Sequence, residues 1–330
     1  MTSTHTRNGF AALALTAAVA LTGCSSATSD TSAEPADSAA AEAAFPVTVE
    51  HEFGSTIVEE EPQRVVSIGW GDFDNLLALG IVPVGRFGSF SEEPTPWEAE
   101  MLGDEETEFL GYTTELDYEK IASLDPDLII AVQGTSVDEE SYAILEDIAP
   151  TVARPAGYGG WQVPRAEGTR QIAAAVGRDE AGEEMLEGLA DRFAEVQSEH
   201  PELVGATGVS AITYDASLYY AFAPVDGRGA FLEELGLQLP AGLLDGYDGT
   251  SFTVELAPEE VGALDGDLVL FMADDPEYDP ADDNALFERF GAEFVAVTGE
   301  SRHAISINTP SSIAYALDEL APVLADAIGG

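Results

Sequence analysis

The chain has 330 residues, 45% of them hydrophobic, and 62 acidic side chains against 12 basic ones, for a formal charge of −50. The length exceeds one typical domain and the apolar content suffices for buried cores. Nucleic acid and anionic lipid surfaces, which need clustered Lys or Arg, are poor partners, and a single cysteine, Cys24, excludes internal disulfides and cysteine-based metal sites.

His5 and Arg7 precede an apolar run from Phe10 to Leu21. The run is too short to span a bilayer and suits the core of an export signal. Leu21-Thr22-Gly23-Cys24 follows and resembles the bacterial lipobox. The resemblance makes 1–24 a lipoprotein signal peptide, with Cys24 the site of lipidation. Residues 25–44, SSATSDTSAEPADSAAAEAA, are small and polar without periodicity and read as a disordered tether. Some 20 flexible residues reach about 25 Å, enough to hold a globular body off the outer face of the cytoplasmic membrane.

The first lobe, 45–178, opens with a hairpin around Gly54. A strand over Val65–Ile68 and a Gly69-Trp70-Gly71 turn come next, then a helix over Asp72–Leu79 and a strand over Ile81–Val84. Gly-x-Gly without a third glycine is a weak nucleotide signal. Trp70 is instead expected on a strand-to-helix loop at the carboxyl edge of a parallel sheet, where α/β lobes place ligands. Helices near 138–148 and 166–176, a strand over Thr151–Ala153 and a GYGGW loop at 157–161 complete the lobe.

DEAGEEMLEGLADRFAEVQSEH, 179–200, reads as one linking helix, stopped by Pro201. Asp179 is placed to cap it, and Met185, Leu186, Leu189, Phe193 and Val196 form one apolar stripe. Its length of about 33 Å exceeds the ~14 Å radius of gyration of a 130-residue lobe, so it can back two lobes. The second lobe, 201–330, begins with strands over Gly208–Tyr214 and 217–224. DGRGAFLEELG at 226–236 is a loop-to-helix step, and a strand near 294–297, the segment Arg302–Asn308 and a final helix over Ser311–Ile328 follow.

An internal echo ties the two halves together. DYEKIASLDPDLIIA at 117–131 aligns without gaps on APEEVGALDGDLVLF at 257–271, placing Glu119 on Glu259 and Asp127 on Asp267. Each copy reads as a short helix, a Pro or Gly break, and a buried parallel strand.

Enzymatic constellations are thin. There is no H-E-x-x-H, no G-x-S-x-G, and the carboxylates pair into no evident acid/base couple. A binding protein without resident metal or cofactor is therefore expected, not an enzyme. Candidate ligand contacts are the rings and guanidinium groups at predicted loops. These are Trp70, Arg86 and Tyr112, then Tyr158 and Trp161, then Tyr219, Tyr220, Arg228, Tyr247 and Arg302. Gln133, in the loop that ends the first echo, joins them, and His303 is a further candidate beside Arg302.

The order of lipobox, FGSTIVEEEPQRVVSIGWGDFDNLLALGIVPVG, LDYEKIASLDPDLIIA, RGAFLEELG and SSIAYALDELAPVLADAI resembles the iron-siderophore class of ABC-transporter substrate-binding proteins, which also holds cobalamin and haem binders. The similarity covers nearly all of 46–328. It implies an α/β fold of two Rossmann-like lobes joined by a single long helix, ligand in the cleft between them, and little hinge motion. It also implies that Glu119 and Glu259, one per lobe, meet arginines of an ABC permease dimer. Ferric catecholates are strongly anionic and want convergent arginines, whereas ferric hydroxamates are neutral or cationic and are held by aromatic walls with one or two donors. A hydroxamate-type siderophore is the favoured ligand. Haem, cobalamin or a divalent metal ion is the alternative, and an extracytoplasmic enzyme the more distant one.

Overall fold

The computed structural model describes residues 45–330 apart from 89, 113 and 114. The export signal, Cys24 and the tether lie outside the described residues. No helix among the described residues is long and apolar enough to cross a membrane.

A hairpin of β1 (Val47–His51) and β2 (Gly54–Val58) precedes β3 (Val65–Ser67), α1 (Asp72–Ala78), β4 (Gly85–Gly88), α2 (Pro96–Leu102), β5 (Glu108–Tyr112), α3 (Tyr118–Ser123), β6 (Leu128–Ala131), α4 (Glu139–Glu146), β7 (Thr151–Ala153) and α5 (Arg165–Ala175). The linking helix is α6 (Asp179–Glu199). Beyond it come β8 (Gly208–Thr213), β9 (Tyr219–Phe222), α7 (Gly227–Glu234), β10 (Thr253–Leu256), β11 (Leu268–Met272), α8 (Pro280–Asp283), β12 (Glu293–Val297), α9 (Gly299–Ile307) and α10 (Pro310–Gly329). Each half carries one five-stranded sheet, ordered β5-β4-β3-β6-β7 and β10-β9-β8-β11-β12. The chain is thus two α/β lobes joined by one long helix.

The two sheets match position for position. In each, the chain leaves the edge strand, β5 or β10, and crosses to the fourth position, β6 or β11. These crossovers are the two echoing segments, so the internal likeness reflects one topology used twice. They differ locally: α3 is an α-helix, whereas the second copy runs through a turn into a 3₁₀ helix at Val261–Leu264. Gly262 has poor helix propensity, and Asp265 N–H closes the tighter turn onto its carbonyl.

The lobes also differ at β9. All pairs in the first sheet are parallel, but β9 runs antiparallel to β8 and β10. The cause is a hairpin in place of a helix: Ala216 takes φ 58, and Asp215 Oδ1 accepts from Ser217 N–H at 3.0 Å.

Helix α6 completes both cores. Ala181 and Met185 pack on the first lobe's cluster, and Leu189, Phe193 and Val196 are buried in the second's, each full burial stabilising by about 1.5–3 kcal/mol. Gly182 lets α5 approach, since a Cβ there would meet Ala173 Cβ at 2.6 Å. Asp179 is the first helical residue, and the N-cap is Arg178 without a side-chain cap bond. Strand β4 begins at Gly85, not Ile81: Ile81 N–H closes α1 onto Leu76 O at 2.9 Å, and Pro83 has no N–H to give a ladder.

Candidate ligand-binding cleft

Strand order reverses between β3 and β6, so their following loops part and leave a crevice at the carboxyl edge. Asp72 holds both loops. Fully buried in the first turn of α1, it accepts from Gly69 N–H at 2.7 Å, Val132 N–H at 3.0 Å and Gln133 N–H at 2.8 Å. Burial pushes its carboxyl up to about 6, against the pull of those three donors. Trp70 N–H donates to Gly134 O at 3.2 Å, and Gly134 N–H to Gly160 O at 3.1 Å. The glycine-rich loop therefore seats Trp161 against Trp70, ring centroids 4.7 Å apart and edge to face. A side chain at position 160 would collide with Thr135 O, 1.9 Å from a Cβ.

Above these loops lies a cavity of about 370 Å³ between the lobes. The first lobe lines it with Trp70, Gln133 and Trp161–Pro164, the second with Val225–Arg228, Phe252 and Ser306–Asn308. Its floor is tied across the lobes. Gln133 Nε2 donates to Asn308 O at 2.9 Å, and Gln133 Oε1 accepts from Asn75 Nδ2 at 3.2 Å. Arg165 Nη1 donates to Asn308 Oδ1 at 2.7 Å and pairs also with Glu234. At the rim, Gln162 Nε2 donates to Thr250 O at 2.8 Å.

The charge facing this cavity is already neutralised. Arg228 makes a two-point pair with Asp226, Nε to Oδ1 and Nη2 to Oδ2, both at 2.7 Å, and lies 4.1 Å over the Phe222 ring. Asp226 also caps α7, accepting from Arg228 N–H at 2.9 Å.

Trp70, Gln133, Trp161 and Arg228 thus share one cavity. Arg86 lines a neighbouring one of about 80 Å³ with Trp70, Phe90 and His303. It is buried, and desolvation lowers its basicity while Glu98 and Glu92 sustain it. Arg302 lines a third cavity of about 440 Å³ with Asp215, Asp274, Asp275 and Asp283, and is paired to Asp274. The three arginines do not converge.

Other candidates lie elsewhere. Tyr219 is 0% exposed and packs on Phe287 in the core on one face of the second lobe's sheet, outside the cavity lining. Tyr220, half-buried, meets Tyr214. Tyr112 is exposed, edge-on to Phe109. Tyr158 lends its carbonyl to Arg154 Nε at 2.9 Å, and Tyr247 donates to Ser251 O at 2.6 Å, which fixes two loops without placing either ring in the cavity lining. Sequence reasoning passed over Phe90, Gln162, Phe252 and Asn308. Only Asn308 carried a signal, as an Asn at φ 57 closing α9 before Thr-Pro. Among the described residues no group of three or more His, Cys, Asp or Glu could hold a metal ion.

The carboxyl-edge geometry also places Glu119 and Glu259. Both are exposed, and each follows the edge strand of its sheet: Glu119 comes after β5 in the first turn of α3, and Glu259 after β10. Leu256 of β10 lies opposite Tyr219, itself opposite Thr213 at the end of β8. Both carboxylates therefore occupy the sheet edges from which the cleft loops spring.

The sequence profile described as periplasmic binding protein matches residues 65–297. "Probable siderophore-binding lipoprotein YfiY" of Bacillus subtilis is 28% identical over 267 residues, covering 78% of this chain and 76% of that one. The iron-uptake ABC transporter substrate-binding protein PiaA of Streptococcus pneumoniae superposes with a TM-score of 0.73 at 27% identity, covering 86% of this chain and 99% of PiaA. PiaA in complex with ferrichrome gives a TM-score of 0.72 at 26% identity, with the same coverage.

Proposed function

The chain belongs to the periplasmic binding protein family, and on that premise we propose that it captures a ferric siderophore in the interlobe cleft and delivers it to an ABC importer. The observation that carries the reading is the 370 Å³ cavity walled by Trp70, Trp161 and Phe252, whose one guanidinium, Arg228, is held by Asp226. Such a site offers aromatic faces and few free charges, which suits a neutral or cationic ferric hydroxamate. A triply anionic catecholate needs several arginines on one ligand, and Arg86, Arg228 and Arg302 line three different cavities. The ferrichrome complex of a relative supports the same choice. A bare divalent ion finds no cluster of donors among the described residues.

The reading extends to the rest of the chain. Export and lipidation at Cys24 hold the body at the outer face of the cytoplasmic membrane, and Glu119 and Glu259 dock on the permease dimer. Trp70, Gln133, Trp161 and Arg228 form the primary ligand set, with Arg86 adjoining. The protein binds and releases; it performs no chemistry.

Titration of the intrinsic tryptophan fluorescence with ferric hydroxamates, a ferric catecholate, haem and cobalamin tests this. Saturable quenching by a ferric hydroxamate is expected, and quenching by haem or cobalamin alone would reassign the ligand.

A further inference from the structure

No residue of the β1–β2 hairpin lines the interlobe cavity, yet the hairpin's corner is tied to the loop that carries Trp161. His51 and Gly54 pair across the two-residue turn Glu52-Phe53. From that turn Glu52 N–H donates to Arg154 O at 2.9 Å, and Glu52 Oε2 accepts from Gly157 N–H at 3.0 Å. The Arg154 guanidinium lies 4.9 Å over the Phe53 ring, while its Nε and Nη1 donate to Tyr158 O at 2.9 Å and Val137 O at 2.7 Å. Further along, Gly160 O accepts from Gly134 N–H and Thr135 N–H, and Trp161 follows. The loop is thus pinned at one end by the hairpin and at the other by the cleft.

One histidine sets the shape of that corner. His51 is 4% exposed, and its neighbours assign its tautomer. Thr56 Oγ1 spends its proton on Thr151 O at 2.6 Å, so toward His51 Nε2, 2.9 Å away, it accepts. The ring proton therefore sits on Nε2, and Nδ1 accepts from Phe53 N–H at 3.2 Å. A second proton, on Nδ1, would set one N–H against another inside the turn. Burial lowers the basicity of His51, and the carboxylates of Glu146 on α4 and Glu50 on β1 oppose that fall. Tyr142, also on α4, packs on the ring with its hydroxyl 3.4 Å from Nε2. With the folded value below the ordinary 6.5, an opened corner takes the proton more readily. The closed corner is therefore most stable above 6.5 and loses that stability as pH falls through the lowered value.

Resting on the ferric-chelate reading above, we infer that Glu52 and Arg154 are positioning residues for Trp161, and that His51 makes their hold sensitive to acid. A proton on Nδ1 opens the turn, frees Gly157 and lets the Trp161 ring leave its place against Trp70. The chelate is gripped at neutral pH and released more readily in acid.

The test replaces the chain's three tryptophans with 5-fluorotryptophan and follows the Trp161 fluorine resonance, assigned with Trp161→Phe, in ligand-free protein between about pH 7.5 and about pH 5. In the wild type the resonance should move with acid. In His51→Asn, whose amide oxygen accepts from Phe53 N–H and takes up no proton, that movement should be absent. Asp72 and His303 are common to both proteins, so the difference reports His51. Glu52 is exposed, and Glu52→Ala should displace the resonance at neutral pH without unfolding the lobe. Glu52→Gln, which keeps an acceptor for Gly157 N–H, should restore it. Binding of a ferric trishydroxamate, read by quenching of unlabelled protein, should weaken about five- to tenfold from neutral to acid pH in the wild type and stay level in His51→Asn. Equal movement in the wild type and His51→Asn, or an unmoved resonance in Glu52→Ala, overturns the link. A resonance that responds as expected in a protein that binds no ferric chelate upholds the link and overturns the ligand reading instead.

Discussion

Thr309 Oγ1 donates to Asp74 Oδ2 over 2.7 Å, a bond that runs from the N-cap of α10 in the second lobe to α1 in the first. Trp97 Nε1 donates to the same oxygen at 2.7 Å. The other oxygen, Oδ1, meets no donor, and the Glu98 carboxyl lies beside Asp74. Two acceptors facing each other are satisfied only by a shared proton, and both burial and the Glu98 charge hold the Asp74 carboxyl well above the usual carboxylate range.

That proton has a consequence for stability. The folded chain keeps Asp74 protonated above 3.8, its ordinary value, whereas the unfolded chain has released the proton. The native state then binds more protons, so stability falls as pH rises from there through the raised value. Asp74→Asn keeps an N–H donor toward Glu98 and removes the titration. Thermal melts at stepped pH should show a shallower decline across that window for Asp74→Asn than for the wild type, and identical slopes would refute the assignment.

Asp72 makes a different kind of contribution, to the shape of the site. Asp72→Ala strands the N–H groups of Gly69, Val132 and Gln133, each at a cost of about 1–3 kcal/mol. A loss of more than about 3 kcal/mol in denaturant unfolding is expected on that basis. Because those loops carry Trp70 and Gln133, ligand affinity should fall with it, even though Asp72 lines none of the cavities.

The paired lobes and the linking helix were legible because their signals are periodic and repeated: the stripe on α6, the buried runs of β6 and β11, and the aligned 117–131 and 257–271 segments. Segment 89–116 was not, although Thr95 and Glu98 form a capping box ahead of α2 that a search for such pairs would find. The cleft was legible only in part. A ring on a glycine-rich loop, such as Trp161, has few places to go except the surface. A ring on a strand, such as Tyr219, has two faces to choose from, and the partner strand's register decides. Interlobe contacts such as Gln133 to Asn308 join residues 175 apart in sequence, and no local pattern announces them.

That difference between loop and strand rings predicts opposite phenotypes. Trp161 is 42% exposed at the cavity edge, so Trp161→Ala should leave the melting temperature within about 2 °C, as surface substitutions do, and weaken ferric hydroxamate binding about tenfold or more, the value of one stacking contact. Tyr219→Ala should do the reverse, lowering stability by about 3–5 kcal/mol as large-to-small core changes do, with little change in affinity for the fraction that folds. Fluorescence titration beside denaturant unfolding separates the two.

Glu119 and Glu259 are the last test, because their equivalence is topological and their proposed partner symmetric. Each follows the edge strand of its sheet at the carboxyl edge, and each begins the crossover to the fourth strand. On the proposed docking role, two exposed carboxylates so related would match a two-fold permease carrying arginines, where opposite charges set orientation and encounter rate more than affinity. If Glu119 served only the first turn of α3, and Glu259 only the turn that precedes Val261–Leu264, reversing their charge would cost at most about 0.3–1 kcal/mol each and nothing else. Glu119→Arg with Glu259→Arg should therefore leave siderophore titrations unchanged and abolish ferric siderophore uptake by cells. Each single reversal should reduce uptake by an intermediate amount, since one lobe still finds its half of the permease. Normal uptake by the double variant would overturn the docking role and leave the two carboxylates as local turn residues alone.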